Sequence, residues 1–257
     1  MSMSTTIRSL TASALSLAIV GGVSPMTALG QVTTDSATWE LQYNGDVDPA
    51  ANTPAFTEID ADGALTSTPN SPSAGLLDMN VVNAPTSSQF GWRTASNLPG
   101  NVGTSMEWRI RLVSGNRATA RNRGSSGSGF DHGLHVFSDN TVGCGAPGGC
   151  GQSRTAIPGG GLASDFHVYR VTRSSGGLWN AYVDAVPIWT DYTTGGAIGD
   201  GMIGLELLDV QSTGGNARME VDYFRTTPSG AFVPIIPEPA SLAMLSLGAL
   251  SLLRRRR

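Results

Sequence analysis

Apolar residues recur along this chain in short alternating runs, and no stretch between Gln31 and Thr227 holds a helical period for long. Successive side chains on a strand point to opposite faces, so such runs predict half-buried strands. They fall at Thr38–Tyr43, Phe56–Ile59, Leu65–Thr68, Gly75–Val82, Gln89–Arg93, Ser105–Val113, Gly133–Ser138, Phe166–Arg173, Trp179–Asp184, Met202–Leu208 and Arg218–Thr226. Segments rich in Gly, Pro, Ser and Asn separate them. Ser105–Val113 is the clearest, with Met106, Trp108, Ile110 and Leu112 on one side and Glu107, Arg109 and Arg111 on the other. The first set should be buried and the second should face water, as in an antiparallel sandwich. Asp62-Gly63 suits a type I′ turn and predicts a hairpin between the second and third runs. Many short strands with regular turns predict a sandwich or barrel.

Composition agrees with this pattern. The chain has 257 residues, 33 of them Gly, with 14% charged and 7% aromatic residues. Glycine supplies the positive φ of tight turns, so the mix favours a turn-rich all-β fold. One domain of this length buries enough core to fold without relying on disulfides. All 16 basic residues are Arg. Residues 31–237 contain 11 Arg against 19 acidic residues, a net −8. So acidic a body cannot neutralise phosphates along a strand, which excludes nucleic-acid binding.

The two ends read as targeting segments. Residues 1–30 carry no acid, place Arg8 before an apolar run from Leu10 to Val23, and finish on Ala28-Leu29-Gly30. That layout predicts a secretory signal peptide, cut by signal peptidase before Gln31. At the other end Pro237-Glu238-Pro239 precedes fourteen apolar or small residues, Ala240 to Leu253, and then Arg254, Arg255, Arg256 and Arg257. The apolar stretch is shorter than the roughly 20 residues of a full span, and the arginines would stay on the cytoplasmic side. This three-part tail resembles the PEP-CTERM sorting signal of Gram-negative bacteria. The resemblance implies processing near Pro237–Pro239 by an exosortase, a membrane cysteine transpeptidase. It also implies transient inner-membrane insertion, then the cell surface or an exopolysaccharide matrix. The expected organisation is a signal peptide (1–30), a β-sandwich domain (31–227), a linker (228–236) and the sorting signal with its hydrophobic helix (237–257).

Within the domain, Phe166-His167-Val168-Tyr169-Arg170-Val171 leads through Gly176-Gly177 to Tyr182-Val183-Asp184-Ala185, and the last run ends Val221-Asp222-Tyr223-Phe224. This succession resembles concanavalin A-like lectin/glucanase sandwiches, including laminin-G-type modules, and implies a jelly roll of two antiparallel sheets. The family's usual Asp-Gly turn is here Asp184-Ala185, which leaves that hairpin's geometry open.

Candidate chemistry is sparse. Laminarinase-type members of that family carry a Glu-x-Asp-x-x-Glu strand whose outer glutamates serve as nucleophile and acid/base. Glu58-Ile59-Asp60 matches its start, but Gly63 replaces the second glutamate, so no catalytic residue is assigned. Asp60, Asp62 and Gly63 also resemble the start of a calcium loop, yet Pro69 stands where its glutamate should be. A structural calcium ion is compatible with the fold but has no readable ligand set, and no cofactor or metal residue is assigned. His132 and His135 have zinc-like spacing for a helix, but on a strand they face opposite ways, His135 toward solvent. Cys144 and Cys150 bracket a turn-forming segment of an exported chain, so they should form a local disulfide worth about 2 kcal/mol. Trp92, Trp179, Tyr182 and Trp189, with Tyr192, Asn180 and Asp184, could offer stacking and hydrogen bonds to sugar rings; Trp108 should be core. The expectation is a non-enzymatic surface protein that binds glycan or exopolysaccharide. A glycosidase-like hydrolase and a passive envelope component remain as alternatives.

Overall fold

Among the described residues fifteen strands form where the alternating runs lie, and in four places where they are hard to see. The structure, a computed structural model, describes residues 38–60, 65–71, 75–84, 89–94, 103–123, 131–144, 150–193, 203–208 and 215–234. The first five strands are β1 (Leu41–Asn44), β2 (Thr57–Asp60), β3 (Leu65–Ser71), β4 (Leu76–Ala84) and β5 (Gln89–Thr94). Then come β6 (Thr104–Ser114), β7 (Arg117–Arg123), β8 (Asp131–Phe137), β9 (Thr141–Cys144) and β10 (Thr155–Ala156). The last are β11 (His167–Arg173), β12 (Trp179–Val183), β13 (Val186–Tyr192), β14 (Ile203–Leu208) and β15 (Gly215–Thr227).

They build two antiparallel sheets. One has eight strands in the order β13-β12-β11-β6-β15-β4-β3, with β1 pairing the C-terminal end of β15. The other has seven, in the order β10-β9-β8-β7-β14-β5-β2. Their inner faces meet in one core. Leu77, Met79, Trp108, Ile110, Tyr169, Met219, Val221 and Phe224 come from the eight-stranded sheet; Ala118, Ala120, Leu134, Val136 and Val142 come from the seven-stranded one. Trp108 is fully buried and stacks on Tyr169 at 6.1 Å between ring centres.

β7 was missed because its inward positions are Ala118 and Ala120, small residues among arginines that give little hydrophobic signal. β9 and β10 are too short to show a period. β13 is interrupted by Pro187 and begins on exposed residues.

Two expectations are corrected and one open point is resolved. No β2–β3 hairpin exists: β2 pairs β5 in the seven-stranded sheet, whereas β3 pairs β4 in the other. Asp62 and Gly63, at which the hairpin was expected, lie outside the described residues. Alternation alone could not tell these outcomes apart. At the β12–β13 hairpin Asp184 and Ala185 take φ of 49° and 65°, the left-handed pair that a two-residue turn requires even without glycine. Finally, Glu107 lies on the outer face as expected, yet it does not meet water. It is fully buried against Arg170 and Arg225, beneath Trp39.

Candidate functional site

The outer face of the seven-stranded sheet follows from strand register. Ala118, Ala120, Leu134 and Val136 point inward, so Arg117, Thr119 and Arg121 of β7 and Gly133, His135 and Phe137 of β8 belong to the outer side. The central row runs Gly143, His135, Thr119, Glu206, Gly91 across five strands. The next row carries Gly133, Arg121, Gly204 and Arg93. Glycine in a strand interior commonly marks the close approach of a ligand or another backbone, and four glycines share this face. A Cβ on Gly143 would sit 2.7 Å from the Phe137 ring.

Although they point away from the core, Thr119, His135 and Arg93 are buried, Thr119 completely. Other side chains therefore cover them. Thr119 Oγ1 and His135 Nδ1 share a hydrogen bond of 2.6 Å. Burial pushes the His135 pKa down to about 3, helped by the positive charges of Arg117 and Arg154, so the ring is neutral at ordinary pH. Its edge meets Phe137, over whose ring the Arg154 guanidinium lies at 3.4 Å. The solvated position expected for His135 is thus corrected: other groups cover that face. The alternation of Arg117, Thr119 and Arg121 with two alanines was the signal that could have revealed this polar face.

His132 lies on the opposite side of β8, as the odd spacing requires, and is fully buried. Its Nε2 bonds the Tyr192 hydroxyl, its ring packs edge-on against Trp179, and its Nδ1 is 3.8 Å from Cys144 Sγ. Burial holds its pKa down to about 3. Cys144 and Cys150 are disulfide-bonded. Among the described residues no cluster of three or more His, Cys, Asp or Glu could hold a metal ion. Glu58 is exposed, and Asp62 and Gly63 lie outside the described residues.

The aromatic residues read as sugar contacts do not form an open platform. Trp92, Trp179, Tyr182, Trp189 and Tyr192 are all buried. Large rings at inward strand positions fill the space between the sheets before they can serve a ligand; Trp179, Trp189 and Tyr192 belong to the core around His132. Tyr182 points the other way, beside Arg170 and Thr172, and burial raises its pKa. Asn180 Oδ1 accepts the Asp191 N–H at 3.0 Å. Asp184 is committed to its turn, where its carboxylate accepts from the Val168 N–H at 2.9 Å and bonds His167 Nδ1 at 2.6 Å.

The outer face of the eight-stranded sheet holds a network of charges. Arg109 pairs with Asp222, Arg111 Nε donates to Glu220 at 2.6 Å, and Arg218 bridges Asp78 and Glu220. Arg170 Nε and Arg225 Nε donate to the two oxygens of Glu107 at 2.6 and 2.9 Å, and the Tyr223 hydroxyl donates at 2.8 Å. Burial and the Glu107 charge push the Tyr223 pKa up. Residues 228–234, read from sequence as linker, lie against this face. Ser105 Oγ donates to the Gly230 carbonyl at 2.8 Å and accepts the Phe232 N–H at 2.7 Å; Arg170 Nη1 donates to the Phe232 carbonyl at 2.9 Å.

Beyond this strap the sequence reaches its tail. Residues 236–257 match the PEP-CTERM protein-sorting motif, which contains Pro237, Glu238, Pro239 and Arg254 to Arg257. The motif implies an exported protein processed by an exosortase. The tail and its expected helix, like the signal peptide at 1–30, lie outside the described residues. Among the described residues no helix is long and apolar enough to cross a membrane. The sandwich resembles concanavalin A-like lectin and glycosidase domains. One is a native glycosidic hydrolase, 15% identical, at a TM-score of 0.55 over 76% of this chain and all of the other. Another comes from work on endo-acting O-glycanases of the human gut microbiota, 13% identical, at 0.52 over 75% of this chain and all of that one. A third is the GlcNAcα1-4Gal-releasing endo-β-galactosidase of Clostridium perfringens, 11% identical, at 0.54 over 79% of this chain and 65% of that one. At these identities the likeness concerns the fold alone. No curated protein matches the sequence.

Proposed function

We propose that this chain is a non-enzymatic surface protein of a Gram-negative bacterium that binds glycan, such as exopolysaccharide, through the outer face of its seven-stranded sheet. In this reading the sorting tail holds the exported chain in the inner membrane until an exosortase acts, after which the sandwich works at the surface or in the matrix. The observation that carries the binding assignment is the polar, glycine-rich outer face of the seven-stranded sheet, where Gly143, His135, Thr119 and Gly91 share one row. Core packing does not require polar groups there, whereas a sugar needs donors and acceptors above a floor that it can approach closely.

The hydrolase alternative needs two carboxylates about 5–10 Å apart. What favours binding is the sequence: Glu58-Ile59-Asp60 starts the glucanase pattern, but Gly63 replaces its second glutamate.

A glycan array probed with the processed protein tests the assignment. Selective binding that Thr119→Val and His135→Asn reduce by about tenfold, the worth of one hydrogen bond or so, is the expected result. Uniform absence of binding would move the sandwich to a passive structural role. Release of reducing ends from a bound glycan would revive the hydrolase.

A further inference from the structure

The strap at 228–234 joins the folded domain to the sorting motif, and its contacts belong to the domain rather than to the tail. Ser105, on β6, holds it from both sides, by accepting the Phe232 N–H and donating to the Gly230 carbonyl. Gly103 lets it lie close, since a Cβ there would be 3.0 Å from the Ala231 nitrogen. Arg170, fixed beneath by Glu107, donates to the Phe232 carbonyl. Pro234 is buried at the end of this contact. From Pro234 to Pro237 there are three residues, which span at most about 10 Å when fully extended. A folded body of this size has a radius of gyration of about 16 Å, so a docked strap keeps the motif within the domain's own shadow.

We propose that Ser105 and Arg170 hold back exosortase processing by docking the strap, which must leave the outer face of the eight-stranded sheet before the membrane enzyme reaches its motif. This rests on the reading of the tail as an exosortase substrate. Undocking back to Thr227 frees ten residues and about 33 Å of reach, enough to carry the domain clear of the processing site. Docking therefore slows processing of the folded chain, and the domain's own hydrogen bonds set the delay.

Pulse-chase of the full chain in an exosortase-bearing host measures conversion of the membrane-held precursor into the shorter product. Ser105→Ala removes both hydroxyl contacts and is expected to speed conversion about fivefold or more, the effect of losing one or two net hydrogen bonds. Ser105→Thr keeps a hydroxyl and should convert as the wild type does. Because Ser105→Ala could disturb the fold, a second variant leaves every strap contact intact. Four Gly/Ser residues inserted between Pro234 and Ile235 add about 13 Å of reach and should also speed conversion. Wild-type or slower conversion of the insertion variant, with the domain melting normally, overturns the proposal. Replacing Pro237, Glu238 and Pro239 by alanine tests the underlying reading separately. If that variant still converts normally, the exosortase assignment itself fails.

Discussion

The two outer faces of this sandwich use the same residue types to opposite ends. On the eight-stranded sheet, arginines and carboxylates are matched to one another: Arg109 with Asp222, Arg111 with Glu220, Arg218 with Asp78, and Arg170 and Arg225 with Glu107. Segments flanking the strands cover the most deeply buried of these, Trp39 on one side and the strap on the other. On the seven-stranded sheet, a neutral His135 and Thr119 sit among glycines, with Arg154 on the ring of Phe137. The first arrangement completes itself and serves architecture. The second sets covered polar groups on an outward face that the core does not need.

The largest expected effect breaks the first face. Glu107→Ala strips the shared acceptor from two guanidiniums, one of them almost wholly buried. Removing one partner of a buried ion pair leaves an uncompensated charge, so about 3–5 kcal/mol should be lost in chemical denaturation. His135→Asn, on the other face, should cost only about 1 kcal/mol while weakening glycan binding. If the two variants exchanged these outcomes, the division of labour would be wrong.

Acid should act through the seven-stranded sheet. His132 and His135 have folded pKa values of about 3, well below the unfolded value, so the unfolded chain binds more protons between those limits. Their contribution is whole above about pH 6.5 and shrinks as pH falls toward 3, by about 1.4 kcal/mol per pH unit for each ring. His135→Asn should remove roughly half of that slope in denaturant titrations run from pH 7 to pH 4. His167, in the eight-stranded sheet, has the opposite sign. Burial pushes its pKa down, but the bonds to Asp184 and the Leu162 carbonyl and the nearby acids outweigh that, and the net shift is upward. Its contribution is whole below about pH 6.5 and is lost as pH climbs through the raised value. His167→Gln should therefore flatten the alkaline side of the same curve.

A smaller effect separates staple from site. Cys144→Ser with Cys150→Ser opens a bridge at the end of β9, beside His132. The loop is short, so about 2 kcal/mol of stability should go, measured by the denaturation midpoint. The charge network of the other sheet should survive this change, because none of its residues touches the bridge.

How far these two faces could be read from sequence differed with the size of their inward residues. Met106, Trp108, Ile110 and Leu112 announced β6 and even told which residues would face outward. Ala118 and Ala120 did the same work for β7 too quietly to be heard, and with β7 went the polar outer face. Register was illegible as well. Glu107, Arg170 and Arg225 lie 63 and 55 residues apart along the chain, and only strand order β11-β6-β15 brings them together. Alternation told that Glu107 faces outward but not that Trp39 and the strap cover it. The sorting tail was the reverse case: its information is local, so it was readable without any fold.

The smallest expected change tests whether the eight-stranded sheet is scaffold alone. Asp184 and Ala185 both hold left-handed φ in the β12–β13 turn. Asp184 has compensation, because its carboxylate bonds the Val168 N–H and His167. Ala185 has none that involves its side chain, and a Cβ in this region costs about 1–2 kcal/mol. Glycine would relieve that strain but gives back part of the gain through the greater freedom of the unfolded chain. Ala185→Gly should therefore add about 0.5–1 kcal/mol and raise the melting temperature by about 1–3 °C in calorimetry. Asp184→Gly, which discards two hydrogen bonds, should lower it instead. Because this turn lies at the edge of the sheet that completes itself, Ala185→Gly should leave glycan binding by the opposite face unchanged. A change in affinity with only the turn relaxed would mean that the two faces are coupled through the core, and that the scaffold takes part in recognition.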